Sequence, residues 1–368
     1  MSKVDVTKMK NNRDPLIDCV RGIAVLGVLA IHTAFWSGSE YVPDWFQSLT
    51  LLVDVPLFFF VSGWGSGLKE MGNIIRQLDG LWKNFFGKAV FCVIVCVVGF
   101  RLLNIQLVES IDDFLKSLCF SFSFTSIRVL PGSLWFVPYY VRTIVINGGL
   151  ICCVKPYLQS IGYSDGDIVG ALLKLNVILF LMSCAEVTYL PFGLDQTDYF
   201  YNIMWLFGAY TAQKKITISS FTKCITFMCA CVMLFFASGY VLGADIVHIQ
   251  NMKFPIKTTA MIPWLFYSLI CIMPVLYVRS KALGESKIIS VLSHLGKKSI
   301  FYFFAQGISS SFLYKIPDLG FSDWWIRFCM MFVINVGLAV VIAECLSFGD
   351  KVLSRQQHKI KNRICTKT

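Results

Sequence analysis

Asp18, Arg21 and His32 fall within one apolar stretch of this chain. An ionisable side chain inside a membrane span is costly enough to mark a functional site, facing protein or a cavity rather than lipid. Asp18 and Arg21 are three residues apart, so a helix sets them on one face where they can pair. His32 follows Arg21 by eleven residues, which returns it to nearly the same face roughly 16 Å further along. One helix thus presents an ion pair near one end and, near the other, a base that titrates close to neutral pH. Such a set can take a proton from a weak nucleophile while a cation holds an anionic group. The plainer alternative is a snorkelling arginine and a histidine satisfied by a core hydrogen bond.

Other ionisable residues fall in or near apolar stretches: Asp54, Arg142, Lys174, Glu186, Arg327 and Glu344. Asp54 and Arg142 sit deeper and are candidates for a cavity or for a pairing that orients His32. Lys174, Arg327 and Glu344 lie near span ends, where snorkelling accounts for them. Phe58 to Phe60 and Phe301 to Phe304 read as helix packing, whereas Trp45, Trp324 and Trp325 suit an interfacial belt or sugar stacking. The 14 cysteines lie nearly all in apolar stretches as small packing residues, and the four histidines are scattered, so no protein metal site is expected.

The elements that must position these residues are membrane spans. The 368-residue chain is 56% hydrophobic and 15% charged, well below the charged content of soluble domains. Apolar windows long enough to cross a hydrocarbon layer recur at about 17–36, 48–67, 84–104, 134–155, 167–190, 198–213, 219–243, 258–278, 296–314 and 323–347. The expected fold is therefore all-α and polytopic, with about ten transmembrane helices. A short amphipathic helix is expected in the loop from Ile105 to Ser133, and no fixed-period repeat is evident.

Basic residues set the orientation. Lys3, Lys8, Lys10 and Arg13 precede the first span, and Lys351, Arg355, Lys359, Lys361, Arg363 and Lys367 follow the last, so both termini are expected in the cytoplasm. The segments Ser37 to Gln47 and Pro191 to Asp198 contain acids and no Lys or Arg, as outward loops should. Topology and the anionic inner leaflet thus account for much of the +11 net charge, and nucleic acid is not an expected partner. The first stretch is read as a retained span, since it contains Asp18 and Arg21 and lacks a small-residue cleavage site. The organisation is a cytoplasmic tail over 1–16, one membrane domain over 17–347 and a basic cytoplasmic tail over 348–368.

Two segments in order carry a family likeness. Arg13-Asp14-Pro15-Leu16-Ile17-Asp18-Cys19-Val20-Arg21-Gly22-Ile23-Ala24, leading to His32, precedes Val55-Pro56-Leu57-Phe58-Phe59-Phe60-Val61-Ser62-Gly63. Together they resemble the opening of the integral-membrane acyltransferase-3 family. Ser133-Leu134-Trp135-Phe136-Val137 is similar to that family's Leu-Trp-Phe segment, and Leu295 to Tyr302 to the start of its penultimate helix.

The resemblance implies a ten-helix enzyme of a bacterial inner membrane. It would move an acetyl group from acetyl-coenzyme A to a hydroxyl of a surface polysaccharide or lipid-linked glycan. By the same resemblance His32 is the essential histidine and general base, with Arg21 and Asp18 the accompanying first-helix pair. Asp54, Ser62, Trp135, Arg142 and Gln306 are candidates for acceptor binding, and Arg76, Lys83 and Lys88 for the phosphates of coenzyme A. Two positions depart from the family's pattern: lysines stand where relatives carry an arginine pair, and Gln306 stands where a histidine is common. Lysine lacks the bidentate fork, and glutamine orients without exchanging protons. Expected partners are acyl-CoA, membrane lipids, a polysaccharide or glycolipid and, in a homo-oligomer, further copies of the chain. The alternative reading is a multispan transporter or glycan flippase that uses Arg21 and His32 as substrate or proton sites.

Overall fold

The computed structural model describes residues 14–37, 41–67, 79, 81–102, 110–118, 129, 135–185, 193–250, 258–281, 286–313, 316 and 323–365. Among them every regular element is helical and there is no strand. In chain order the helices are α1 (Pro15–Trp36), α2 (Asp44–Thr50), α3 (Val55–Gly67), a π-helical turn (Trp82–Phe86) leading into α4 (Gly87–Leu102), and α5 (Ile111–Leu118). They continue with α6 (Val137–Ser160), α7 (Asp165–Cys184), α8 (Gln196–Gln213), α9 (Phe221–Val241) and α10 (Thr258–Arg279). The last are α11 (Lys287–Lys297), α12 (Ser299–Leu313) and α13 (Trp324–Cys365). The short helix expected in the 105–133 loop is α5.

Helix starts follow local chemistry. Asp14 caps α1 by accepting from the Leu16 amide at 2.9 Å, with Pro15 in the first turn. Reciprocal capping boxes open α7, through Ser164 and Asp167, and α8, through Asp195 and Asp198. The turns near these ends are pinned by Lys155 on Asp165 at 2.9 Å and Lys214 on Asp167 at 2.6 Å.

Seven segments are long and apolar enough to cross a membrane: Pro15–Trp36, Asp44–Gly67, Val137–Ser160, Asp165–Cys184, Phe221–Val241, Thr258–Arg279 and Trp324–Gln356. The chain is thus an integral membrane protein. The three remaining apolar windows fall on α4, α8 and α12, which are shorter or more polar. Residues 197–206 of α8 and 301–311 of α12 are buried without interruption. A helix sheathed by protein has no lipid to satisfy, so Asp198, Asn202, Gln306 and Ser309 to Ser311 are tolerated there. The apolar surface instead lies on the ring around them, as on α9, where Phe227, Met233, Phe236 and Tyr240 are exposed.

Glycines let two helix pairs meet backbone to backbone. A Cβ at Gly63 would strike the Trp205 carbonyl, one at Gly208 the Phe60 carbonyl, and one at Gly67 the backbone of Ala209. Gly63 and Gly67 form a G-x-x-x-G face on α3, the pattern that allows close approach in membranes. The same reciprocity joins α1 to α11: Gly22 lies against the Leu292 carbonyl and Gly296 against that of Asp18.

The second predicted span, 48–67, is broken rather than continuous. Residues 51–54 leave the helix between α2 and α3, with Asp54 buried at the break. Pro56 supplies the cause, since it donates no amide to the Leu52 carbonyl four residues back and its ring would clash with that carbonyl in a continuous helix. The Asp54 carbonyl then accepts from the Leu57 amide at 3.0 Å to start α3.

Candidate functional site

The site is built around α1. Asp18 is only 1% exposed, and its Oδ1 lies 3.9 Å from Nη1 of Arg21, which is half-buried. The neighbouring Cys19 Sγ lies 3.0 Å from Ser293 Oγ, locking this face of α1 to α11. Gly65 of α3 leaves room beside the guanidinium, where an added Cβ would stand 3.6 Å from Nη2. The expected ion pair is present, its acid buried and its cation half-buried.

Three turns on, His32 is 9% exposed. A buried polar seam fixes this end of α1. Asn335 Nδ2 of α13 donates to Thr33 Oγ1 at 3.1 Å and to Ser310 Oγ of α12 at 3.0 Å, and its Oδ1 accepts from Ser309 Oγ at 2.6 Å. Through Thr33, the residue after His32, Asn335 thus ties this end of α1 to α12 and α13.

Beside α1 the break in the second span comes within contact, because Gly27 admits Val53, whose side chain and carbonyl a Cβ would hit. Asp54 is the next residue, five positions before Phe59. Phe59 belongs to an aromatic cluster. Phe59 stacks on Tyr201 at 4.1 Å, Trp135 stands 6.1 Å from Tyr201 and 5.9 Å from Tyr139, and Trp264 stands edge-on to Tyr201 at 6.0 Å. Ser62 Oγ and the Tyr140 hydroxyl are 3.0 Å apart. Gln306 is buried and donates to the Phe303 carbonyl at 3.1 Å, while its Oε1 has no hydrogen-bond partner among the described residues.

The structure redistributes several expected roles. Arg142 pairs neither with Asp54 nor with His32: its Nε lies 3.1 Å from Oδ1 of Asp198, and its guanidinium covers the Tyr139 ring at 4.6 Å. Asp198, 2% exposed, is thus a buried carboxylate that the sequence reading did not single out, and Tyr201 is a buried phenol that it did not single out either. Arg327 does not snorkel. It is buried over the Tyr41 ring at 4.2 Å. Glu344 is held by His294 Nε2 at 2.8 Å and by Lys298 Nζ, tying α13 to α11 and to the α11–α12 turn.

Of the cations assigned to coenzyme A, Lys83 and Lys88 lie among the described residues and have different neighbours. Lys83 is exposed and bonds Asp79 at 2.7 Å, whereas Lys88 is half-buried with its ammonium 5.8 Å from the Phe301 ring centroid. Arg76 lies outside the described residues, as does Glu186. Phe58 to Phe60 and Phe301 to Phe304 are packing residues, with Phe58 and Phe303 rings 4.5 Å apart. Trp45 and Trp324 meet edge to face at 5.9 Å.

No protein-family model matches this chain, and no curated protein or solved structure matches it.

Proposed function

We propose that the chain is a membrane O-acyltransferase of the acyltransferase-3 type, with acetyl-coenzyme A as donor and a cell-surface glycan or glycolipid as acceptor. The observation that supports this most is the face of α1: a half-buried Arg21 beside the buried Asp18 at one end and a buried His32 at the other. On this reading the protein has ten spans, counting α4, α8 and α12, lies in a bacterial inner membrane and keeps both termini in the cytoplasm. The donor then enters at the Arg21 end, where positive charge favours its phosphates, and the acceptor meets it from the His32 end.

His32 accepts the proton of the acceptor hydroxyl as that oxygen attacks the thioester carbonyl. The tetrahedral intermediate collapses with loss of the carbon–sulfur bond, and the imidazolium returns the proton to the departing thiolate. An ester and free coenzyme A result. Asp18 holds the Arg21 guanidinium in place, and of the described lysines assigned to the donor, Lys88 is the one directed toward the protein, beside Phe301.

The buried acid at the broken second span favours one second reading, a transporter, because discontinuous helices are where carriers bind ions and substrates. Transfer of radiolabelled acetyl from acetyl-coenzyme A into membrane glycan separates the two. The acyltransferase reading expects incorporation that falls at least about a hundredfold in an equally expressed His32→Ala variant, the scale of a lost general base. Neither incorporation nor release of coenzyme A with any glycan tried would move the assignment to the transporter.

A further inference from the structure

The 11 residues of α11 extend about 16 Å, too short to cross a membrane, and the helix is not among the seven apolar spans. It joins α10, which is one of those spans and ends at Arg279, to α12, which starts at Ser299. Its side chains divide into three faces. One is seated on α1: Gly296 lies against the Asp18 carbonyl, the Leu292 carbonyl lies against Gly22, and Ser293 Oγ is 3.0 Å from Cys19 Sγ. The second is apolar and open, with Ile288 71% and Val291 59% exposed. The third is polar and open, with Lys287, Ser290 and Lys297 exposed.

Open apolar side chains bordered by lysines suit a helix lying in a lipid interface, where the apolar side meets the acyl boundary and the cations meet headgroup phosphates. The charge is one-sided: from Arg279 to Lys298 the chain carries five cations and one acid, Glu285. Glu344 of α13 does not offset Lys287 or Lys297, because it is held by His294 and Lys298. A second copy of the chain is a poorer occupant. A two-fold interface sets this face against itself and brings lysine to lysine.

We propose that α11 is a binding site for anionic phospholipid. Lys287 and Lys297 hold the headgroup phosphates while Ile288 and Val291 enter the acyl boundary. In the orientation proposed above this face lies at the inner leaflet, the anionic one. Because α11 sits on the backbone of residues 18–22, a bound lipid steadies the end of α1 that carries Asp18 and Arg21. The site goes beyond the acyltransferase reading and holds whichever reaction the α1 face performs.

The test is thermal unfolding of the full-length protein in dodecyl maltoside micelles, to which palmitoyl-oleoyl phosphatidylglycerol or the phosphatidylcholine with the same chains is added. Wild type is expected to gain more stability from phosphatidylglycerol, since a lipid bound to the folded protein raises the midpoint. In the double variant Lys287→Gln, Lys297→Gln the lipid fraction needed for half of that gain is expected to rise at least about tenfold, each lysine contributing about fivefold. Lys215→Gln with Lys223→Gln removes the same charge from exposed positions at the α8–α9 connection and is expected to leave the response as in wild type. Ile288→Ser with Val291→Ser is expected to weaken it. Equal gains from the two lipids in wild type overturn the proposal, as does a Lys287, Lys297 variant that responds like wild type or a control that loses as much. A response untouched by the two serines would give the lysines to a soluble phosphate, and a wild-type dimer split by them would give the face to a second copy. Either result overturns the lipid site.

Discussion

Removing the guanidinium of Arg142 leaves the Asp198 carboxylate, 2% exposed, without its cation. Arg142 itself is 43% exposed, so solvent already screens part of the attraction. Arg142→Ala is therefore expected to cost about 1–2 kcal/mol rather than the larger penalty of a fully buried pair. The double variant with Asp198→Asn should recover part of that loss, and thermal unfolding in detergent is the measurement. An unchanged midpoint in Arg142→Ala would remove the pair from any structural role. The residues on α1 were legible because Asp18, Arg21 and His32 lie on one helix, where spacing alone fixes a shared face. The Arg142–Asp198 pair was not, because it joins helices 56 residues apart and nothing local in either sequence names the partner. Tyr201 escaped for another reason: an aromatic residue in an apolar window looks like packing until its hydroxyl is found without a partner.

At the level of helices, the glycines divide into those that must be glycine and those that need not. Gly63→Ala and Gly208→Ala insert a methyl group into a backbone carbonyl across the α3–α8 seam. Both are expected to abolish a monodisperse peak in fluorescence-detected size exclusion. Gly99→Ala and Gly337→Ala face open space and should behave as wild type. Equal behaviour of the two sets would refute the seam. Another contact joins elements through a titratable group. His248, between α9 and α10, bonds Asp245 at 2.9 Å and Asp44 of α2 at 3.1 Å, and these two contacts raise its pKa above the ordinary 6.5. A raised histidine contributes stability that is fully present below its unfolded pKa and is lost as pH rises through the folded one. The midpoint difference between wild type and His248→Ala should therefore be largest near about pH 5.5 and shrink toward about pH 9. A difference that grew with pH would contradict this contact. The helical class and most element positions were readable from apolar windows, but the break at 51–54 was hidden because a window average passes over four residues that only Pro56 betrays.

For the molecule as a whole, the proposed topology puts Arg21 toward the cytoplasm and His32 toward the opposite side. A cysteine at position 32 is expected to react with a membrane-impermeant maleimide from outside the cell, and labelling only from the cytoplasm would reverse the scheme. The seven clear spans were legible from composition, whereas α8 falls outside them because burial lets it carry polar residues and α12 because it has only 15 residues. The glycine seams carry a mechanical consequence. Backbones seated on each other's carbonyls have no side-chain cushion to compress, so α3 with α8, and α1 with α11, can move only as stiff bodies. His32 rides on one of these bodies and Tyr201 on the other. These bodies meet where Gly27 admits Val53 and where Arg21 passes Gly65, so one added methyl at Gly27 would shift the helix that carries His32 without touching a reacting group.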